Sequence, residues 1–153
     1  MKFRMVDQIV SWESKQRICG VKAVSFEEYS LTAPFGGPAR LPETLLLESF
    51  LQLGNWLIIL SSDFTKMGLV IRLQRIFFEG AVMPGERLVM ELTVRSYRDD
   101  GVLFDGAGRV GTRLVATGEG CLAVPVELAS YCDPDDLRVL FSEIHRPQEG
   151  APL

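Results

Sequence analysis

The apolar positions of this chain fall into two kinds of pattern. Most segments alternate as strands do, but Leu41 to Leu60 (LPETLLLESFLQLGNWLIIL) is apolar on nearly every side. A helix of that kind is buried on most of its faces. Thr44, Glu48, Gln52 and Asn55 interrupt it at steps of four, four and three. Residues so spaced stack on one helical face. A carboxylate on a buried helix is costly unless it is paired or neutralised, so such residues tend to mark sites. Glu48 is therefore the first candidate for function.

The flanking segments predict strands. Val6 to Glu13 and Gln16 to Ser25 are β-type runs, and Ser14 and Lys15 between them predict a hairpin. Phe26 to Leu41 is irregular, because APFGGPARLP carries three prolines and two glycines. Pro42 falls where the helix begins, a position that tolerates a missing N–H. The helix fades near Ser61 and Ser62. Strand regions follow at Gly68 to Glu79 and at Glu86 to Tyr97, where Leu88, Met90, Leu92 and Val94 share one face. Asp99-Asp100-Gly101 signals a hairpin. Val102 to Val124 is expected as one long β stretch, with bulges or bends at its glycines. The predicted order is β-β-loop-α-β-β-β, an α+β pattern with an antiparallel sheet wrapped on one helix. After a main domain over 1–125, a tail over 126–153 holds a short helix. Asp133 is its N-cap, Pro134 lies in its first turn, and Leu137, Leu140, Phe141 and Ile144 form its apolar stripe. Residues from Pro147 onward are expected to fray.

Composition narrows the function. The chain has 153 residues, enough for one domain with a hydrophobic core. A net charge of −4 gives no basic stripe for nucleic acid. The long helix has the length of a membrane span, but Glu43, Glu48, Gln52 and Asn55 within it favour a buried core helix and no membrane role. Three cysteines without CxxC spacing and one histidine exclude a disulfide framework and a His-rich metal site, and no cofactor is expected. Cys19 and Cys121 sit in apolar strand patterns and are expected in the core. His145 is expected at the surface of the tail. With no secretory apolar segment at the N-terminus, the expected setting is the reduced cytoplasm. Gly106 to Gly111 spells GxGxxG, but no helix follows to hold a dinucleotide phosphate.

Four stretches, in order, resemble the single-domain hot-dog β-hydroxyacyl-acyl-carrier-protein dehydratases: MVDQIVSWESKQRICGVKAVS, APFGGPARLPETLLLESFLQLG, RIFFEGAVMPGERL and the strand ending in GEGCLAV. The resemblance spans about Met5 to Val124. It implies a hot-dog fold, a long central helix wrapped by an antiparallel β-sheet, in a homodimer or higher homo-oligomer. It also implies an acyl thioester, on acyl carrier protein or coenzyme A, as the bound partner. The family's dehydration uses a helix carboxylate and a loop histidine, usually from opposite protomers. Its thioester carbonyl is polarised by backbone N–H groups at the helix N-terminus. By this resemblance Glu48 is the catalytic carboxylate and Gln52 its companion. Phe35 and Gly37 match the loop's Phe and Gly, and Pro42 matches the Pro that opens the helix. Arg40, Glu43 and Asn55 join Phe35 and Gly37 as substrate-binding candidates.

The chain departs from the family at the histidine. Counting fourteen back from Glu48 lands on Pro34, which cannot transfer protons. Glu43 replaces the glycine that opens the helix, and Arg40 is placed to pair with Glu43 or Glu48. Three functions follow as expectations. The first is a dehydratase-like protein of fatty-acid or polyketide metabolism with weak or altered activity. The second is a thioesterase that uses Glu48 alone. The third is a non-catalytic subunit whose partner supplies the missing histidine.

Overall fold

The computed structural model describes residues 3–27 and 37–147. Six strands form one antiparallel sheet: β1 (Gln8–Glu13), β2 (Arg17–Ala23), β3 (Lys66–Phe78), β4 (Arg87–Arg98), β5 (Gly101–Val110) and β6 (Arg113–Glu127). Their spatial order is β1-β2-β4-β5-β6-β3. Helix α1 (Glu43–Ser61) lies against this sheet, and a second helix, α2 (Pro134–Ile144), follows a short 3-10 turn at Leu128–Ser130. This is the hot-dog arrangement, a sheet wrapped on one long helix.

The residues explain the wrapping. Alternation in β4 puts Leu88, Met90 and Leu92 in the core, each at most 1% exposed. From α1, Leu46, Phe50, Leu53, Leu57 and Ile58 meet them there. The helix therefore has the length and hydropathy of a membrane span, yet it spends its apolar faces on the sheet. Glycines let the layers approach closely. A methyl on Gly54 would stand 2.6 Å from the Phe104 ring, and one on Gly20 would stand 2.6 Å from Leu53. A larger residue at either place would require Phe104 or Leu53 to move.

The expected hairpins are present. Lys15, with φ of 62°, turns β1 into β2, and Asp99-Asp100 turns β4 into β5. One expectation is corrected: the stretch Val102 to Val124 is two strands. Gly111, at φ of 58°, reverses the chain between β5 and β6. The interior glycines do mark irregularities, with register shifts at Phe104/Gly106 and Gly108/Arg109. A turn and a bulge both ask for glycine, so composition alone did not separate them.

Pro42 is the N-cap of α1 rather than a residue of its first turn. The α2 start is as expected, with the Asp133 carboxylate accepting from the Asp135 N–H at 2.9 Å. Of the irregular segment before α1, residues 28–36 lie outside the described residues, and 37–42 have no regular structure. Two smaller expectations change. Cys19 is only half-buried and stands beside Glu91 on the far face of the sheet, while Cys121 is in the core. His145 is half-buried too, its ring stacked on Phe141 with centroids 4.8 Å apart.

Candidate functional site

Thr44, Glu48, Gln52 and Asn55 lie on the side of α1 that turns away from the deepest core. Thr44 is exposed and the other three are half-buried. Gln52 organises the row. Its Nε2 donates to Glu48 Oε1 at 2.8 Å and to the Phe3 carbonyl at 3.3 Å. Its Oε1 accepts from the Met5 N–H at 2.8 Å. The Gln52 amide thus ties the segment before β1 to the helix and fixes the direction of the Glu48 carboxylate. A charge-assisted bond of this kind is stronger than a neutral one. The second carboxylate oxygen of Glu48 has no hydrogen-bond partner among the described residues. Asn55 does a different job: its Oδ1 accepts from the Gly68 N–H at 2.8 Å, anchoring the start of β3 to α1.

Glu48, Gln52 and Asn55 line one side of a cleft of about 330 Å³. Trp56 and Ile59 continue that side, and Leu137, Leu140 and Ile144 of α2 stand on the other. The opposite face of α1, toward β3 and the sheet, is filled far more tightly, with a residual space of about 20 Å³. A larger depression of about 470 Å³ lies at the C-terminal end of α1. Its cations are engaged, Lys66 with Glu127, Arg98 with Asp100, and Lys15 over the Tyr97 ring at 5.6 Å. The Glu48 cleft is the site that joins an oriented ionisable group to apolar walls, the usual make-up of a small-molecule site.

The other predicted residues are placed apart from this cleft. Arg40 pairs with Glu43 at 3.3 Å, and both side chains are about half exposed. The pair sits at the helix start and does not reach Glu48. Gly37 is exposed, with open space where a side chain would be. Phe35 and Pro34 lie outside the described residues. Among the described residues, no group of three or more His, Cys, Asp or Glu is placed to hold a metal. The Cys19 and Cys121 thiols are poor nucleophiles. Burial pushes Cys121 up to about 12, and burial with the Glu91 charge pushes Cys19 up to about 11.

Two features of the site were not read from the sequence as functional. One is the segment Phe3 to Met5, which receives Gln52. The other is α2, whose apolar stripe was legible but whose contact with the Glu48 cleft was not. A stripe tells that a helix is covered on one face; it does not tell by what.

The pattern of the FabA-like domain matches residues 1–119. The chain is 29% identical over 118 residues to the 3-hydroxyacyl-[acyl-carrier-protein] dehydratase FabZ of Caldanaerobacter subterraneus subsp. tengcongensis, covering 76% of this chain and 84% of that one. It is 31% identical over 123 residues to the enzyme of the same name from Pelotomaculum thermopropionicum, covering 80% and 88%. Among solved structures, the fluoroacetyl-CoA thioesterase FlK superposes with a TM-score of 0.64 at 10% identity, over 84% of this chain and 97% of that one. That last likeness is one of fold.

Proposed function

The chain belongs to the FabA-like domain family, and from that premise we propose that it binds acyl thioesters and acts on them as a weakened or altered 3-hydroxyacyl dehydratase. The observation that carries this reading is the Glu48 carboxylate, aimed by Gln52 into a cleft with apolar walls. The proposed substrate is a 3-hydroxyacyl thioester of acyl carrier protein or coenzyme A. Dehydration breaks the α-C–H and β-C–O bonds, forms the enoyl double bond and releases water. Glu48 is the one carboxylate lining the cleft among the described residues, so it serves as the acid/base. The Glu43 and Thr44 backbone N–H groups, which open α1 ahead of the Leu45 and Leu46 N–H groups bonded to the Pro42 carbonyl, polarise the thioester carbonyl. Pro34 stands where the family's loop histidine is expected, so the second proton carrier is missing. One general acid or base is worth about 10²–10⁴ in rate, and a deficit of that size is expected here.

A thioesterase reading rests on the unengaged Glu48 oxygen. A lone carboxylate activates water for attack on the carbonyl, the C–S bond breaks, and the thiol leaves. A third reading, a subunit that completes its site with another chain, rests on β3. This edge strand leaves Leu69, Ile71, Leu73, Phe77 and Phe78 between 37% and 62% exposed. Uncovered apolar edges pair with other chains, and we infer a dimer joined along β3. A second copy of this chain supplies no loop histidine; a relative that retains one would.

One set of incubations tests all three. Wild-type protein is given 3-hydroxyacyl and saturated acyl thioesters, and enoyl formation and free thiol are followed separately. Enoyl product supports dehydration, and thiol release supports hydrolysis. If neither forms and neither thioester binds, the acyl-thioester reading is wrong. Light scattering gives the oligomeric state, and a monomer at working concentration would exclude the β3 dimer.

A further inference from the structure

Helix α2 lies beyond residue 119, where the family match ends, and it is tied to the body of the protein at its start, its middle and its end. At its start the Asp133 side chain caps it. Near its middle Arg138 pairs with Asp63 at 3.1 Å and stacks over the Phe64 ring at 4.4 Å. Phe141 packs on Trp56, with ring centroids 6.1 Å apart. At its end His145 forms a parallel bridge with Ile9 of β1, and the Arg146 N–H donates to the Ile9 carbonyl at 3.0 Å. Its contact with α1 nonetheless leaves an open cleft between the two helices. Leu137, Leu140 and Ile144 stand across the cleft of about 330 Å³ from Glu48 and Gln52.

The two sides of that cleft differ in kind. The α1 side offers a hydrogen-bonded carboxylate and two amides; α2 offers the aliphatic side chains of Leu137, Leu140 and Ile144, with the Cys132 thiol before it, and the exposed Arg4 guanidinium that also lines the cleft is turned to Glu143 of α2 at 3.9 Å. A ligand matching both has a polar carbonyl end and an aliphatic end. The volume sets its size. A water occupies about 30 Å³ and a methylene is similar, so a cleft of about 330 Å³ has the scale of a short or medium acyl chain. We infer that α2 is the chain-length gauge of this protein: the acyl chain of its thioester lies between α1 and α2, and Leu137 and Leu140 determine the longest chain accepted. This inference rests on the acyl-thioester reading above and extends it to a short or medium chain.

The probes are non-hydrolysable pantetheine analogues carrying saturated acyl chains from butyryl to palmitoyl. Binding is read by calorimetry, and by the emission of Trp56 in a Trp12→Phe background that leaves it the sole tryptophan. With wild type, affinity should rise about fourfold per methylene up to a medium chain and then fall, with Trp56 emission changing on binding. Leu140→Phe should move the optimum to shorter chains, and Leu137→Ala, which removes bulk and risks less misfolding, should move it to longer ones. Circular dichroism and a cooperative melt establish that each variant is folded. Binding without a length optimum, or with an optimum that neither variant moves, would overturn the α2 gauge while leaving acyl-thioester binding in place. Failure of every analogue to bind would remove the acyl-thioester reading itself, and the gauge with it.

Discussion

Glu43 and Glu48 lie five residues apart on one helix, and their surroundings could hardly differ more. Glu43 opens α1 at the surface, faces the Arg40 guanidinium at 3.3 Å and is about half exposed. Its charge is answered twice, by the arginine and by the positive end of the helix dipole. Glu48 stands one turn further in, half-buried, bonded through one oxygen to an amide that is itself bonded to backbone on two sides. The first carboxylate is solvated and electrostatically spent. The second is oriented, with one oxygen that no described residue engages. Being acidic and being on the right helix do not make a functional group; what distinguishes Glu48 is that a neighbour with no freedom left holds it in place.

The comparison can be broken in four ways. The largest effect is expected from Glu48→Ala: whichever thioester turnover the wild type shows should fall by about 10²–10⁴, while Glu43→Ala stays within a few-fold. Steady-state rates on the same thioester give both numbers, and equal losses would erase the distinction. Next comes Pro34→His, which restores the second proton carrier at the position the family resemblance assigns. Enoyl formation should rise by roughly 10², and the double variant with Glu48→Ala should lose that gain. No rise would mean the site has diverged beyond one residue.

Gln52→Ala should act on stability as well as rate. It strips the part-buried Met5 N–H and the exposed Phe3 carbonyl of their partners, and a buried donor left unpaired costs about 1–3 kcal/mol. Urea unfolding should show a lower midpoint with an unchanged slope. An unchanged midpoint would mean that water replaces the amide at no cost. The smallest effect is expected from Arg40→Ala. Exposed ion pairs contribute about 0–1 kcal/mol, so neither the melt nor the turnover should move by more than that. A large loss of activity would place Arg40 in the site and contradict its separation from the cleft.

Much of this was legible in the chain. The greasy run with its polar line gave α1, because a helix buried on most sides leaves one narrow stripe for polar groups. The alternation of Leu88, Met90 and Leu92 gave β4 and its inner face. The Glu48–Gln52 pair was legible from its spacing of four. What the sequence did not reveal is long-range. Gln52 meets Phe3 and Met5 across 49 and 47 positions, and no local period encodes that. The division between β5 and β6 was missed because Gly111 does in a turn what Gly106 does in a bulge. Arg40 faced two carboxylates at helical reach in the sequence, and only the geometry of the helix start assigns it to Glu43.

The most direct measurement is a titration of isotopically labelled protein with a 3-hydroxyacyl-pantetheine thioester analogue, followed through two side-chain signals, the Gln52 amide and the Trp56 indole. Both groups line the Glu48 cleft, and neither lies near the Arg40–Glu43 pair. Saturable shifts of both, lost in Glu48→Ala for the Gln52 amide, are the predicted result. Saturation of the protein with both signals unmoved would place the acyl thioester elsewhere and contradict the account.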